Sequence, residues 1–493
     1  MNMNMNMNMN KTPFITFCVA SIVYLFPIIK ADRYFIDDYN RAFLGYLSWS
    51  DNGRPLADLV MSLLNFNTVI SDISPLTQII GVASLAFVLL LIMRTETTKN
   101  MQSVACALCV LVSPFMLETL SYAYDSLPML LSIAFVFIPF CIKLKNNYYT
   151  FLVHFFFIVS SLCLYQASIG IYVILAIFTY TLKDNKDRCG ISTLAVNALS
   201  FILGYAVYSK SIARYFISGG YSLNRAQFIN FTSADSFDLF FKNLFKYYEF
   251  LMLGYPGPLL AINTLIVLLG LIGVVIKSLE FLKHEVIFSK IAFIITLFSP
   301  LLVFSMVLAP LSVLANPPMM SRVLGSAGVV MMFFMFYAFR VQLKSIKVFL
   351  SILVVLCMMY SFSTVYAYGN AQKKQKEFES YIINMMHDDI SFGKRNFFDI
   401  YGSAPTSPVS SLIVAQHPIM SWMVLSNITF RDEWRTNITL ENFRFPAKYK
   451  GGSYPGDLSS PSCDFMIKQY NGIYTLFEKS GVILFYFRDK CSK

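Results

Sequence analysis

The stretch FITFCVASIVYLFPIIKADRYFIDDYNR, Phe14–Arg41, begins as an uncharged apolar run to Ile29 and turns into a segment carrying Lys30, Asp32, Arg33, Asp37, Asp38 and Arg41. The run is close to the length a membrane demands. A spanning helix takes about 20 mostly apolar residues, because hydrocarbon offers no water to open backbone groups. Two adjacent carboxylates a few residues beyond such a run stand near the membrane surface.

The rest of the chain repeats the pattern. Of 493 residues, 56% are apolar, 16% aromatic and only 14% charged, against about 25% charged in soluble proteins. The fold class is therefore an all-α polytopic membrane protein. Further apolar runs lie at Leu76–Met93, Met101–Leu117, Leu127–Ile142, Phe151–Tyr165, Ser168–Leu182, Ile191–Ser209, Pro258–Ile276, Phe288–Ala309, Val323–Phe339 and Val348–Tyr366. With the first run they predict about eleven spans. The break LYQASIG around Gln166 leaves Phe151–Leu182 open to two short helices or to one helix and a re-entrant piece.

Placing the N-terminus inside puts Arg94, Lys99, Lys143, Lys145, Lys183, Lys186, Arg188, Lys277, Lys283, Lys290, Arg340, Lys344 and Lys347 in inner loops, and Arg322 alone in the short outer ones. Basic residues concentrate on the cytoplasmic side of membrane proteins, so this orientation is the expected one. It accounts for part of the net charge of +11 and removes the case for nucleic-acid binding. An odd span number then carries the C-terminus out. The polar segments 31–75, 210–255 and 367–493 all become extracytoplasmic.

The domain plan follows. The repeat MNMNMNMNMN puts a disordered cytosolic tail at residues 1–12, with no A-x-A cleavage site after the first span, which reads as an uncleaved anchor. Residues 13–366 form the membrane domain. Residues 367–493 form a small outer α+β domain, in which IYTLFE, a Lys-Ser-Gly turn and VILFYF read as a β-hairpin. Most cysteines lie in apolar runs, the Cys106 and Cys109 pair included, and act as small hydrophobes. Cys463 and Cys491 are the two of the outer domain, and a structural disulfide is expected between them.

In the first outer loop, Phe43, Leu44 and Leu47 fall on one helical face. Pro55 suits a helix start, with Leu56, Leu59, Val60, Leu63 and Leu64 repeating at helical spacing. Such a helix can lie in the interface. Glu118 and Asp125 bracket a short outer loop, and ionisable groups at that depth favour function. The bland readings are that Asp37 caps a helix near Tyr39, that Asp38 pairs with Arg41, that Asp125 and Ser126 cap the fourth span, and that the arginines snorkel. Gln166 reads as a helix–helix hydrogen bond. Lys210, Arg214 and Arg225 read equally as steering charges or plain surface. Tyr122, Tyr124 and Trp49 are candidates to stack on sugars. No Walker sequence or H-E-x-x-H is present, and His154, His284, His387 and His417 are scattered.

The residues Asp37, Asp38, Arg41, Trp49, Gly53, Arg54, Pro55 and Leu56, followed by Glu118, Tyr122, Asp125, Ser126, Leu127 and Pro128, resemble the phage- and island-encoded O-antigen glucosyltransferases of the type II serotype-conversion family. That resemblance implies a GT-C-like plan in a bacterial inner membrane, N-terminus cytoplasmic and C-terminus periplasmic. It implies an undecaprenyl-phosphate glucose donor, an O-antigen polysaccharide acceptor, and a companion flippase and lipid-sugar synthase.

Glycosyl transfer needs a base for the acceptor hydroxyl, and Asp37 or Asp38 is the candidate. The second carboxylate either orients the acceptor or helps hold a divalent cation. No other cofactor is expected. Arg41, Arg54 and Arg322 suit the developing phosphate charge; Glu118 and Asp125 suit acceptor hydroxyl binding or metal coordination, and Tyr122 the sugar of a substrate. An O-antigen polymerase or a lipid-linked sugar flippase is the competing reading.

Overall fold

The computed structural model describes residues 11–96, 101–144, 146–183, 188–218, 220–225, 227–283, 286–391 and 397–488. The tail 1–10, Lys99, Lys145, Lys186, His284 and Cys491 lie outside the described residues. The chain is mostly helical. Among the described residues seven helices are long and apolar enough to cross a membrane: Thr12–Ala31, Leu76–Met93, Gly190–Phe216, Pro258–Leu282, Ile287–Ser312, Ser321–Phe339 and Lys344–Ile390.

The other four expected spans are shorter apolar helices, so the count of about eleven is not reached by helices of crossing length. They are Met101–Leu111, Ser126–Cys141, Asn147–Leu162 and Ile169–Leu182. Pro114 explains the first: a residue before proline is pushed out of the helical region, and the run Met101–Leu117 breaks there into Met101–Leu111 and Met116–Ser121. At LYQASIG the chain makes two helices joined by a short 3-10 turn, Gln166–Ser168.

Two compact units divide the chain. One holds the residues up to Phe26 and Tyr46–Val365; the other holds Pro27–Gly45 and Tyr366–Lys493. The segment expected as one outer loop, 31–75, is thus split between them.

In the first unit, the helix Ser326–Phe339 is buried along nearly its whole length. Its close neighbour is Pro258–Leu282, where a Cβ on Gly273 would lie 2.0 Å from the Tyr337 carbonyl oxygen and one on Gly270 2.6 Å from that of Phe334. Small residues admit such backbone approach where no hydrophobic force drives helices together in lipid. The helix Pro55–Asn65 starts at its proline as expected and buries Ala57 and Met61, while Leu59 and Leu63 are exposed. That outward apolar face suits the interface. The face expected through Leu47 ends early, because Gly45 takes a left-handed conformation, φ 64°, and closes the helix Asp38–Leu44.

In the second unit a mixed sheet runs β2-β1-β5-β4-β3, with β1 Phe397–Tyr401, β2 Lys448–Tyr449, β3 Met466–Lys468, β4 Thr475–Lys479 and β5 Val482–Tyr486. The expected hairpin is β4–β5, in register Lys479↔Val482, with Ser480 and Gly481 both at positive φ. Two such residues give the turn whose twist matches paired strands. Ile382, Ile383, Met386 and Ile390 pack with Phe398, Ile400, Ile483 and Phe485 in one core. Cys463 is disulfide-bonded.

Candidate functional site

Within the first unit, the site is built from a tight turn upward. The Trp49 and Ser50 amides donate to the two oxygens of Asp58, at 2.9 and 2.8 Å, which clips residues 49–54 onto the first turn of helix Pro55–Asn65. Gly53 turns the chain at φ 75°, and a Cβ there would meet the Tyr208 hydroxyl at 2.7 Å. Glycine is therefore required twice over, for the angle and for the space.

Arg54 follows directly. Its Nε donates to Gln166 Oε1 at 3.0 Å and its guanidinium lies over the Tyr165 ring, 4.7 Å from the centroid. Gln166 Nε2 donates to the Asn52 carbonyl at 2.9 Å and to the Tyr208 hydroxyl at 2.7 Å, and Tyr208 donates on to the Gly53 carbonyl at 3.0 Å. Gln166 thus ties a loop to two helical segments.

A second arginine is fixed from another direction. The Arg322 amide donates to Glu118 Oε2 at 2.9 Å, its Nε stands 3.6 Å from Oε1, and its guanidinium lies 4.8 Å over the Tyr122 ring. Tyr122 is fully buried, as are Trp49 and Tyr124. None of the three presents a free face to a sugar, and the exposed role expected of Tyr122 is replaced by its contact with Arg322. Asp125 is not used as a helix cap: no capping bond forms, and its Oδ1 accepts the Trp49 indole N–H at 2.7 Å. Tyr165 is close enough to Arg322, Arg54, Glu118 and Asp125 to feel the charge of all four.

Arg54 and Arg322 line one cavity of about 410 Å³, together with Tyr165, Gln166, Tyr208 and Arg225. Its size is in the range of small-molecule sites, roughly 300–1,000 Å³. Tyr165 and Tyr208 were not singled out by the sequence, and Arg225 was named only together with Lys210 and Arg214, as a steering charge or plain surface. Arg225 could have been separated from Lys210 and Arg214 only by its fold environment, since those two are exposed and Arg225 donates to the Asn316 and Pro317 carbonyls, each at 3.1 Å.

Asp37, Asp38 and Arg41 belong to the second unit. Asp37 precedes the helix Asp38–Leu44 without capping it and is half-buried. Asp38 is 0% exposed, and its Oδ2 accepts the Phe35 amide at 3.0 Å. Arg41 is buried.

The segment is held by Arg33, which donates to both oxygens of Glu379 at 3.0 Å, to the Leu425 carbonyl at 2.6 Å and to Gln372. Glu379 also accepts the Asn427 amide at 2.9 Å, and Asn427 reaches the Tyr39 hydroxyl at 3.4 Å. Burial first, and then the Glu379 carboxylate, push the Tyr39 phenol up to about 12. Tyr39 therefore stays neutral beside Asp38. Among the described residues no group of three or more His, Cys, Asp or Glu is placed to hold a metal ion.

Fold and site together define a helical membrane protein with a cationic pocket. The chain belongs to the GtrII glucosyl transferase family, whose sequence profile matches residues 26–338, and it is a glycosyltransferase on that ground. It is similar to an uncharacterized 55.3 kDa protein in the gtrB 5' region of Salmonella phage P22, with 29% identity over 419 residues, 82% of this chain and 84% of that one. No solved structure matches.

Proposed function

We propose that the protein transfers a glucosyl group from undecaprenyl-phosphate glucose to a sugar of the lipid-linked O-antigen repeat, on the periplasmic face of a bacterial inner membrane. The observation that carries this is the cavity lined by Arg54 and Arg322, which suits a phosphate, in a chain of the glucosyl transferase family. In the reaction the bond from the anomeric carbon to the phosphate oxygen breaks. The acceptor hydroxyl oxygen bonds that carbon, its proton passes to a carboxylate, and undecaprenyl phosphate leaves.

Asp37 or Asp38 is the base in this reading. Arg54 and Arg322 offset the charge that grows on the leaving phosphate, which is how such groups lower a barrier. Glu118 and Tyr122 hold Arg322 in place, and Asp125 holds Trp49. A divalent cation on Asp37 and Asp38 would need oxygen ligands from substrate or water to complete its shell. A synthase that makes the lipid-linked sugar and a flippase that delivers it would be the working partners.

The test is glucose transfer by the purified protein from radiolabelled undecaprenyl-phosphate glucose to lipid-linked O-antigen, beside an Asp37→Asn, Asp38→Asn double variant, with and without a chelator. Transfer by the parent and none by the folded variant supports the reading. Equal transfer by both moves the base elsewhere. No transfer by either, with transport or polymerisation found instead, overturns the proposal.

A further inference from the structure

The second unit carries a long stretch without charge. Residues 400–430 include no Asp, Glu, Lys or Arg, although Asp399 stands just before them and Arg431, Asp432 and Glu433 just after. Their one histidine, His417, is held below the ordinary histidine value by burial, so it is neutral at pH 7. The helix Pro408–Gln416 turns Val409 and Leu412 outward, 46% and 62% exposed, and the 3-10 turn Pro418–Trp422 does the same with Trp422, 44% exposed. Ser410, Ile419 and Met420 are buried on the inward side. An outward apolar face of this kind marks contact with a protein or a membrane.

Hydrogen bonds fix the height of that face. Ser410 Oγ donates to the Ala371 carbonyl at 2.7 Å, the Ser407 amide donates to Gln375 Oε1 at 2.8 Å, and Gln372 Nε2 donates to the Met423 carbonyl at 3.0 Å. Ala371, Gln372 and Gln375 lie on about one turn of the helix Lys344–Ser391, just past its apolar run, which ends at Tyr366. At 1.5 Å per residue Ala371 is about 7.5 Å beyond Tyr366, and one headgroup layer is about 5–8 Å deep. A second marker agrees. A Cβ on Gly369 would collide with the carbonyl of Pro27, near the end of the span Thr12–Ala31, so two spanning helices leave the hydrocarbon at one level.

We propose that residues 408–422 form a membrane-seated foot, with Val409, Leu412 and Trp422 entering the boundary between headgroups and acyl chains of the leaflet on which the second unit stands. Continuity with the bilayer that the adjacent helix crosses selects lipid as the occupant. Indole rings favour this boundary, and a face without charge needs no anionic lipid to hold it. This contact does not depend on which sugar donor or acceptor the protein uses. The foot leads directly to Leu425, whose carbonyl accepts Arg33 at 2.6 Å, and to Asn427, whose amide donates to Glu379 at 2.9 Å. Seating it therefore sets the height of the segment Pro27–Gly45, which carries Asp37 and Asp38.

The experiment places the full chain in phosphatidylcholine vesicles whose acyl chains are brominated either near the headgroup or near the chain end. Tryptophan quenching is measured for the parent, Trp422→Phe, Trp434→Phe, Leu412→Glu and Leu412→Met, with melting curves to check each fold. Fluorescence that disappears with Trp422→Phe reports Trp422. Fluorescence that disappears with Trp434→Phe reports Trp434, an exposed tryptophan among charged neighbours. Shallow bromine is expected to quench Trp422 strongly and deep bromine less, while Trp434 escapes both. High salt should leave the quenching unchanged, Leu412→Glu should lose most of it, and Leu412→Met should keep it.

No quenching of Trp422 by either lipid overturns the proposal, as does equal quenching of Trp434. Full quenching retained by folded Leu412→Glu also overturns it. Quenching abolished by salt makes the contact electrostatic and excludes apolar seating. Chains that cross-link in pairs through this face, with Trp422 shielded from both lipids, assign it to a second copy instead.

Discussion

At the scale of single residues, Asp37 and Asp38 are neighbours in sequence but not in environment. Asp38 is sealed and accepts the Phe35 amide; Asp37 is half-buried and stands ahead of the helix Asp38–Leu44 without a side-chain bond to its first turn. A hydrogen bond to a charged group contributes about 1.5–3 kcal/mol. Asp38→Asn is therefore expected to lower thermal stability by about 1–3 kcal/mol, and Asp37→Asn to lose transfer while still folding. Melting curves set beside turnover check this, and an inactive Asp38→Asn with parental melting would assign the base to Asp38. Sequence alone made Glu118, Asp125 and Arg322 visible, because charge near a membrane is expensive and so conspicuous. It could not show Tyr208, whose hydroxyl meets the Gly53 carbonyl across 155 residues, since nothing in a local pattern reports so distant a partner.

At the scale of elements, the long apolar runs were legible because hydrocarbon tolerates so few backbone conformations. The hairpin β4–β5 was legible through its alternation and its turn residues. Helix lengths were less so, and Pro114 shows why: one residue in an otherwise apolar run shortens the helix without changing the run's composition. The docking of the helix Pro258–Leu282 on Ser326–Phe339 was also hidden, because it depends on the absence of side chains at Gly270 and Gly273. Gly273→Ala puts a methyl against a backbone carbonyl that cannot swing aside. A loss of about 1–3 kcal/mol or more is expected, read as a lower melting temperature in detergent. Gly220→Ala, where nothing lies within 4 Å of the added carbon, should be silent.

At the scale of the whole molecule, composition alone was enough to give the class, and the basic residues predict the orientation. A phosphatase reporter fused after residue 493 should be active outside the inner membrane, and one fused at the N-terminus inactive; the opposite pair of results would reverse the orientation. The division into units was not legible, because it groups residues 27–45 with the distant C-terminal part of the chain, as the ion pair of Arg33 with Glu379 illustrates. That ion pair also sets a clock. The two residues are 346 positions apart, and at ribosomal rates of about 5–20 residues per second the later one emerges roughly 17–70 s after the earlier. Throughout that interval the stretch from Pro27 to Gly45 has been made but its partners have not. A nascent chain therefore carries its aspartates long before it can order them, and a message truncated ahead of residue 366 would yield the aspartates without the surroundings that shape them.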